Sequence, residues 1–273
     1  MSVAVIIPSF NRCVLLKRAL VSVFKQDCPA DEVIVVDDGS TDDSADMVKR
    51  CFPEVVYIYQ DNCGVSSARN KGIAKSRSDW ITFLDSDDEW LPEKLAVQRD
   101  YLSRNDDYRV CHTEEIWIRD GRRVNPMKKH AKIGGWIFQH CLPLCAMSPS
   151  SVMIHRQIFS EVGDFDEDLP ACEDYDLWLR ITARYPVLFI TEPMILKYGG
   201  HSDQLSRRFW GMDRFRIKAL EKIIAEPCLS EENRSAAIAM LQEKARVYIQ
   251  GAQKRGKADE VAQYQLLMNH YQT

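Results

Sequence analysis

Asp85 and Asp87 stand two residues apart in the run Phe83-Leu84-Asp85-Ser86-Asp87-Asp88, directly after an apolar stretch that begins at Trp80. Residues two apart in an extended chain project to the same side, so both carboxylates face one way. Paired oxygen ligands of this kind hold a hard divalent cation, and such a cation bridges phosphates. An acidic turn that caps a following helix accounts equally well for the same residues. A second acidic run, Asp37-Asp38-Gly39-Ser40-Thr41-Asp42, also follows an apolar stretch. Its acids can accept hydrogen bonds from a ribose or a base, or it is a turn with an N-cap. A third run, Asp61 to Gly72, carries small residues and Arg69, a cation placed either to meet a nucleotide or to stay solvated. Glu173, Asp174 and Asp176 crowd the start of an amphipathic segment. A helix N-terminus favours ionised acids there, and one of them can act as a base toward a hydroxyl. Dipole complementation explains the others. Last comes Gly199-Gly200-His201, with Arg207 and Arg208 beyond it. His201 is a metal ligand or a structural histidine, and the arginines can meet a diphosphate.

These groups need elements to position them. Val3 to Ile7, Glu32 to Val36, Val55 to Tyr59 and Trp80 to Leu84 read as strands, the first two as buried runs. Between them, apolar positions recur at helical spacing from Arg12 to Gln26, Ser40 or Thr41 can cap a second helix, and Gly64 to Lys75 reads as a third. Pro92 is expected to open a further helix that runs to about Arg104. Strand–helix alternation of this kind implies a parallel sheet with helices on both faces. Acids that follow its strands then lie at the carboxyl edge, where open sheets bind ligands. Beyond residue 105 the pattern changes. A hairpin is expected from Glu115 to Val124 with Asp120-Gly121 in its turn, then a strand from Ser151 to His155 and a helix from Glu173 to Tyr185. From Arg207 onward only helix is expected. Two apolar stripes there suit a helical hairpin broken at Gly256, with the basic cluster Lys254-Arg255-Lys257 at its tip. The stripes either pack on each other and on the catalytic domain or meet a partner or membrane.

Composition narrows the classes. A net charge of −4 argues against bulk nucleic-acid binding. No stretch approaches the roughly 20 apolar residues of a membrane helix, and a cytoplasmic protein is expected. The nine cysteines are odd in number, scattered and without a CxxC pair, and are expected as free, buried thiols.

Taken together and in order, these runs resemble the inverting family 2 glycosyltransferases. The resemblance is carried by Val5-Ile6-Ile7-Pro8-Ser9-Phe10-Asn11-Arg12, Val35 to Asp42, Asp61-Asn62 through Ile73, Phe83 to Asp88, and Glu173 to Arg180. It covers residues 1 to about 206. It implies a GT-A fold, a mostly parallel Rossmann-like sheet flanked by helices, here with a C-terminal helical extension. It implies a catalytic domain over 1–206, divided into a nucleotide-binding half (1–105) and an acceptor half (106–206), with the extension over 207–273. By the same resemblance Pro8, Ser9, Asp38 and Arg69 line the nucleoside pocket, and Asp85 with Asp87 form a DxD pair. Asp87 is then the direct ligand of Mn²⁺ or Mg²⁺, completed by His201. Asp174 is the implied catalytic base, with Glu173 as second choice. The implied partners are a nucleotide-sugar donor, with UDP-sugar the first choice, and a saccharide, lipid-linked or protein acceptor. Contact with the inner face of the membrane is a further expectation, and oligomeric state is left open. One departure stands out. Processive polysaccharide synthases carry Gln-x-x-Arg-Trp, whereas Gln204 here is followed by Arg207 and Arg208. Two other readings fit a similar sheet: a nucleotidyltransferase, and a non-catalytic nucleotide-sugar-binding module. The first should carry a glycine-rich loop after its first strand, and Pro8 to Arg12 has no glycine. The second should have lost the DxD pair or the base.

Overall fold

A computed structural model describes residues 1–200 and 209–271. The expected alternation opens it: β1 (Val3–Ser9), α1 (Cys13–Phe24), β2 (Glu32–Asp37), α2 (Ser44–Cys51), β3 (Val56–Tyr59), α3 (Val65–Lys75) and β4 (Trp80–Phe83). β1, β2 and β4 have almost no exposed side chain, because helices cover both faces, and their apolar runs are continuous for that reason. A Cβ at Gly72 would lie 2.4 Å from Ile6 Cγ2, so glycine lets α3 press directly on β1. The chain continues with the two-residue β5 (Glu89–Trp90), α4 (Lys94–Ser103), β6 (Val110–Arg119), β7 (Arg122–Val124), α5 (Phe138–Cys141), β8 (Met153–His155), α6 (Gln157–Val162), α7 (Glu173–Thr182) and β9 (Leu188–Gly199). It ends with α8 (Asp213–Ala225), α9 (Glu231–Gln253) and α10 (Ala258–His270).

Among the described residues all nine strands share one sheet, in the order β3-β2-β1-β4-β8-β6-β9-β5, with β7 on β6. The first four run parallel. Past β4 the sheet is mixed: β8 is antiparallel to both β4 and β6, while β6 and β9 run parallel. The Asp120-Gly121 turn of the hairpin has positive φ at both residues, 49° and 71°, as a two-residue I′ turn demands. Three expectations need correction. β9 and β5 are absent from the sequence reading. The helix expected from Pro92 starts at Lys94, since the Pro92 carbonyl accepts the Asp27 N–H at 2.9 Å. Of the helix expected from Arg207, residues 209–212 are not helical and the first described helix beyond them starts at Asp213.

The C-terminal helices do not stand apart. Ala237, Leu241, Ala245 and Tyr248 of α9 belong to the same core as Leu177, Trp178 and Ile181 of α7, and Tyr264, Leu267 and Met268 of α10 pack against it. The stripes therefore meet each other and the main body. At the hairpin tip Arg255 and Lys257 lie over the Trp210 ring, at 5.0 and 3.9 Å, so two of the three cations there serve packing.

Under the other face of the sheet Lys94 is fully buried. Its Nζ donates to Thr82 Oγ1 (3.0 Å) and Gln98 Oε1 (2.7 Å) and sits 3.8 Å from the Trp90 ring. Burial pushes its pKa from a lysine's usual 10.5 down to about 7. Between those values the unfolded chain holds a proton that the fold does not, so the group adds stability as pH rises through that window. Compared with Lys94→Met in urea melts, the wild type should gain more than about 1 kcal/mol between pH 7 and pH 10. A gap between the two that stays constant with pH would sink this reading.

Candidate active site

The turn after β4 places Asp85 and Asp87 at the carboxyl edge of the parallel strands. Asp85 Oδ1 accepts from Arg69 Nη2 at 2.7 Å, and Glu173 Oε1 accepts from Arg69 Nη1 at 2.7 Å. One guanidinium thus joins the end of β4 to the start of α7. Arg69 is 3% exposed and its charge is held firmly: burial opposes it, but Asp85 and Glu173 push its pKa up. Its planar fork offers a separate nitrogen to each carboxylate in a fixed geometry, where a lysine offers a single point charge. Asn70 fixes the neighbouring loop, donating to the Phe165 carbonyl (2.8 Å) and accepting the Phe165 N–H (3.0 Å), and the Phe165 ring lies 5.1 Å from the Arg69 guanidinium.

Asp87 Oδ2 accepts from Arg12 Nη1 at 3.0 Å, and the Asp87 carbonyl accepts from Arg18. Asp88, the third acid of the run, has a different job. It is buried, accepting the Ser150 hydroxyl (2.7 Å) and the Tyr198 N–H (3.0 Å), which ties the turn to β9. Burial, with Asp87 and Asp85 nearby, drives its pKa well up, against the pull of Lys197. Neither Arg12 nor the Asp88–Tyr198 link was singled out in the sequence. The first needs the loop after β1 folded against β4, and the second needs β9.

The ends of β1 and β2 form a rim stitched together by side chains. The Asn11 N–H donates to Ser40 Oγ (2.8 Å), the Thr41 N–H to Asn11 Oδ1 (2.7 Å), and the Cys13 N–H to Asp42 Oδ2 (2.9 Å). Pro8 and Ser9 lie in β1, both buried, and Ser9 Oγ has no hydrogen-bond partner among the described residues. Asp38 faces the loop before α3. Its Oδ1 accepts from Gln60 Nε2 (2.7 Å) and the Cys63 N–H (2.8 Å), and its Oδ2 from the Gly64 N–H (2.9 Å). The Asp38 carboxylate therefore shapes this wall through three protein donors.

α7 sorts its three acids. Asp176 is buried and paired with Arg180 (2.8 Å) and Lys222 (2.7 Å), a structural acid. Glu173 is buried against Arg69; burial and Asp174 push its pKa up toward about 7, with Arg69 pulling the other way. Asp174 alone opens onto a pocket, lined also by Glu115, Trp117, His130, Lys132, Cys145 and Lys197. Its Oδ2 accepts from the Cys145 thiol at 3.0 Å and its Oδ1 from the Tyr175 N–H at 2.7 Å. Burial and Asp174 drive the Cys145 thiol well above its usual range, so it stays a proton donor to the carboxylate. In the same pocket Glu115 accepts from Trp117 Nε1 (2.9 Å) and pairs with Lys132 (3.0 Å). Burial disfavours its charge, yet Lys197 and Lys132 outweigh that and hold it down at about 2. None of Glu115, Lys132, Cys145 or Lys197 carried a motif signal.

Asp85, Arg69, Glu173 and Asp174 are thus brought together, with Asp87 on the same turn as Asp85. His201 lies outside the described residues, and among the described residues no cluster of three or more metal-ligating side chains occurs. Residues 4–162 match the model of Glycosyl transferase family 2, and residues 127–228 match that of Glycosyltransferase like family 2. The chain belongs to glycosyl transferase family 2. It is similar to an uncharacterized glycosyltransferase of Rickettsia bellii (strain RML369-C), 33% identical over 184 residues, covering 67% of this chain and 26% of the relative. It is also similar to a provisional colanic acid biosynthesis glycosyl transferase, WcaA, of Escherichia coli (strain K12), 29% identical and covering 67% of each chain. The chain spans 26% of the R. bellii relative and 35% of a second uncharacterized glycosyltransferase, from Rickettsia conorii (strain ATCC VR-613 / Malish 7). Among solved structures, S. aureus TarS 1-349 in complex with UDP-GlcNAc superposes with a TM-score of 0.71 at 19% identity, covering 89% of this chain and 71% of TarS 1-349. The Pyrobaculum calidifontis mannosyltransferase PcManGT, in complex with GDP-Man and Mn²⁺, gives 0.66 at 17%, covering 98% of this chain and 83% of that one. These likenesses fix the fold as GT-A. No helix among the described residues is long and apolar enough to cross a membrane.

Proposed function

We propose that this chain moves a sugar from a nucleoside diphosphate donor, a UDP-sugar by first choice, onto an acceptor hydroxyl with inversion, in surface polysaccharide or glycoconjugate synthesis at the cytoplasmic side. The observation that carries this reading is the chain Asp85–Arg69–Glu173, two 2.7 Å ion pairs that tie the strand-end acid to the start of α7, where the next residue, Asp174, lines the pocket. Residues 1–105 then hold the nucleotide, 106–206 the acceptor, and 207–273 buttress both. Pro8, Ser9, Asp38 and Arg69 build the donor edge. Asp174 takes the proton from the acceptor hydroxyl as its oxygen attacks the anomeric carbon and the nucleoside diphosphate leaves. Holding both substrates against this edge supplies much of the rate by orientation.

The acids also fit a divalent cation. Asp85 uses only Oδ1 on Arg69 and so keeps an oxygen for a ligand, and an all-oxygen set completed by donor phosphates suits Mn²⁺ or Mg²⁺. Asp85 and Asp87 would hold the ion, whose chemistry there is to neutralise charge on the leaving diphosphate. UDP-GlcNAc in TarS and GDP-Man with Mn²⁺ in PcManGT support a nucleotide-sugar donor and a metal.

The test is a panel of nucleotide sugars read by donor hydrolysis and by thermal shift, with Mn²⁺ or with chelator. One donor should raise the melting temperature only when Mn²⁺ is present, and Asp87→Ala should lose that shift. A panel in which no nucleotide sugar is hydrolysed or stabilises the protein defeats the donor reading. Full turnover in excess chelator defeats the metal.

A further inference from the structure

Segment 119–136 differs in charge from the rest of the chain. It holds Arg119, Arg122, Arg123, Lys128, Lys129 and Lys132 against one acid, Asp120, in a protein whose net charge is −4. Lys132 turns inward onto Glu115. The other five are exposed, and none pairs with a carboxylate among the described residues. The same segment leaves large apolar side chains in solvent: Met127 is 60% exposed, Ile133 43% and Trp136 70%.

The backbone carrying them is fixed. Buried, neutral His112 donates from Nε2 to the Ile133 carbonyl at 3.0 Å, since burial pushes its pKa down to about 3. Gly135 and Val187 exchange N–H and carbonyl bonds at 2.7 and 2.9 Å, and Lys132 Nζ donates to the Thr113 carbonyl at 3.2 Å. Ile133 and Trp136 therefore reach solvent from an anchored backbone.

A segment that exposes a tryptophan, two aliphatic side chains and five cations without a carboxylate partner among the described residues has the chemistry of the water–lipid boundary. The indole suits the headgroup level, the aliphatic groups suit the acyl edge, and the cations suit anionic headgroups. We propose that segment 119–136 is a docking surface for an anionic lipid bilayer. A nucleic acid would use the cations and could stack on Trp136, but Met127 and Ile133 have no part in such binding, and the overall negative charge opposes it. The segment reaches the site already described: His130, Ala131 and Lys132 line the Asp174 pocket. Docking here sets that pocket beside the membrane, where an acceptor carried on lipid would meet it. That consequence rests on the proposed function, whereas the docking itself does not.

The experiment is cosedimentation of the full chain with vesicles of equal parts phosphatidylcholine and phosphatidylglycerol, against phosphatidylcholine alone. Binding is expected on the anionic vesicles only and should weaken with added salt. Each cation removed near such a surface should weaken partition about 5-fold, so Lys128→Ala with Lys129→Ala should weaken it about 25-fold. Trp136→Ser should weaken it separately. Both variants should keep the wild-type melting temperature and donor hydrolysis. Absence of wild-type binding, equal binding to neutral vesicles, or undiminished binding by both variants overturns the proposal. Retention on heparin without vesicle binding would assign the surface to a polyanionic macromolecule and equally overturn it. Asp174→Asn should bind vesicles as the wild type does, so failure of the transfer reading and failure of docking are told apart.

Discussion

Asp174→Asn should lose transfer by about 10²-fold or more while binding the donor with near wild-type affinity. Asparagine keeps the shape of the side chain, and its carbonyl oxygen can still accept one of the two bonds, from the Cys145 thiol or the Tyr175 N–H, that hold Asp174 in place. What it loses is the ability to take a proton from a hydroxyl. The comparison needs donor affinity by calorimetry and transfer in a single turnover, so that binding and chemistry are read separately. Unchanged turnover would remove Asp174 from the role. A loss in Glu173→Gln alone would then move the role one residue back, to the acid that now holds Arg69.

Arg69→Met should destabilise the fold by about 3–5 kcal/mol and abolish transfer, because it strips the counter-charge from Asp85 and Glu173 together. Arg69→Lys should recover part of the loss, since an ammonium keeps the charge but lacks the rigid fork whose two nitrogens reach the two acids. The pH dependence gives a second check. Without Arg69, buried Glu173 keeps the burial and the Asp174 repulsion that already push its pKa up. An acid whose folded pKa is raised stabilises the fold below its unfolded pKa, and that contribution disappears as pH rises through the folded value. Urea melts of Arg69→Met should therefore show a smaller deficit at pH 5 than at pH 8. A deficit below about 1 kcal/mol, or one that shrinks as pH rises, would show that the guanidinium is not what holds the two acids.

The first four strands and their helices were legible because each pattern is local. A buried strand writes a continuous apolar run, and an acid just past it must fall at the sheet edge. Pairings across long separations were not. Arg69 and Glu173 lie 104 positions apart, and Asp88 and Tyr198 are 110 apart, so no periodicity announces either contact. β9 was hidden for another reason. Glu192-Pro193 interrupts its apolar residues, and a proline inside a run argues against a strand. In the sheet Pro193 falls opposite Glu114, where the β6–β9 register shifts on both sides, so the irregularity absorbs the residue that masked the element. With β9 unread, Lys197 could not be placed in the pocket that Asp174 lines, nor the Tyr198 N–H on Asp88. Residue types alone leave Glu173, Asp174 and Asp176 with equal claims, the family resemblance puts Asp174 first, and burial and partners separate the three in the fold.

The stitching of residues 9–13 to residues 38–44 bears on binding thermodynamics. A loop that must be ordered by its ligand loses about 1–2 kcal/mol per residue in backbone entropy at that moment. Here Asn11, Ser40, Thr41 and Asp42 have already fixed the rim through bonds between the two strand ends. Under the proposed function, a nucleotide arriving at this edge would meet a surface whose entropy was lost in folding, and its affinity there would be set by the contacts it makes and the water it displaces.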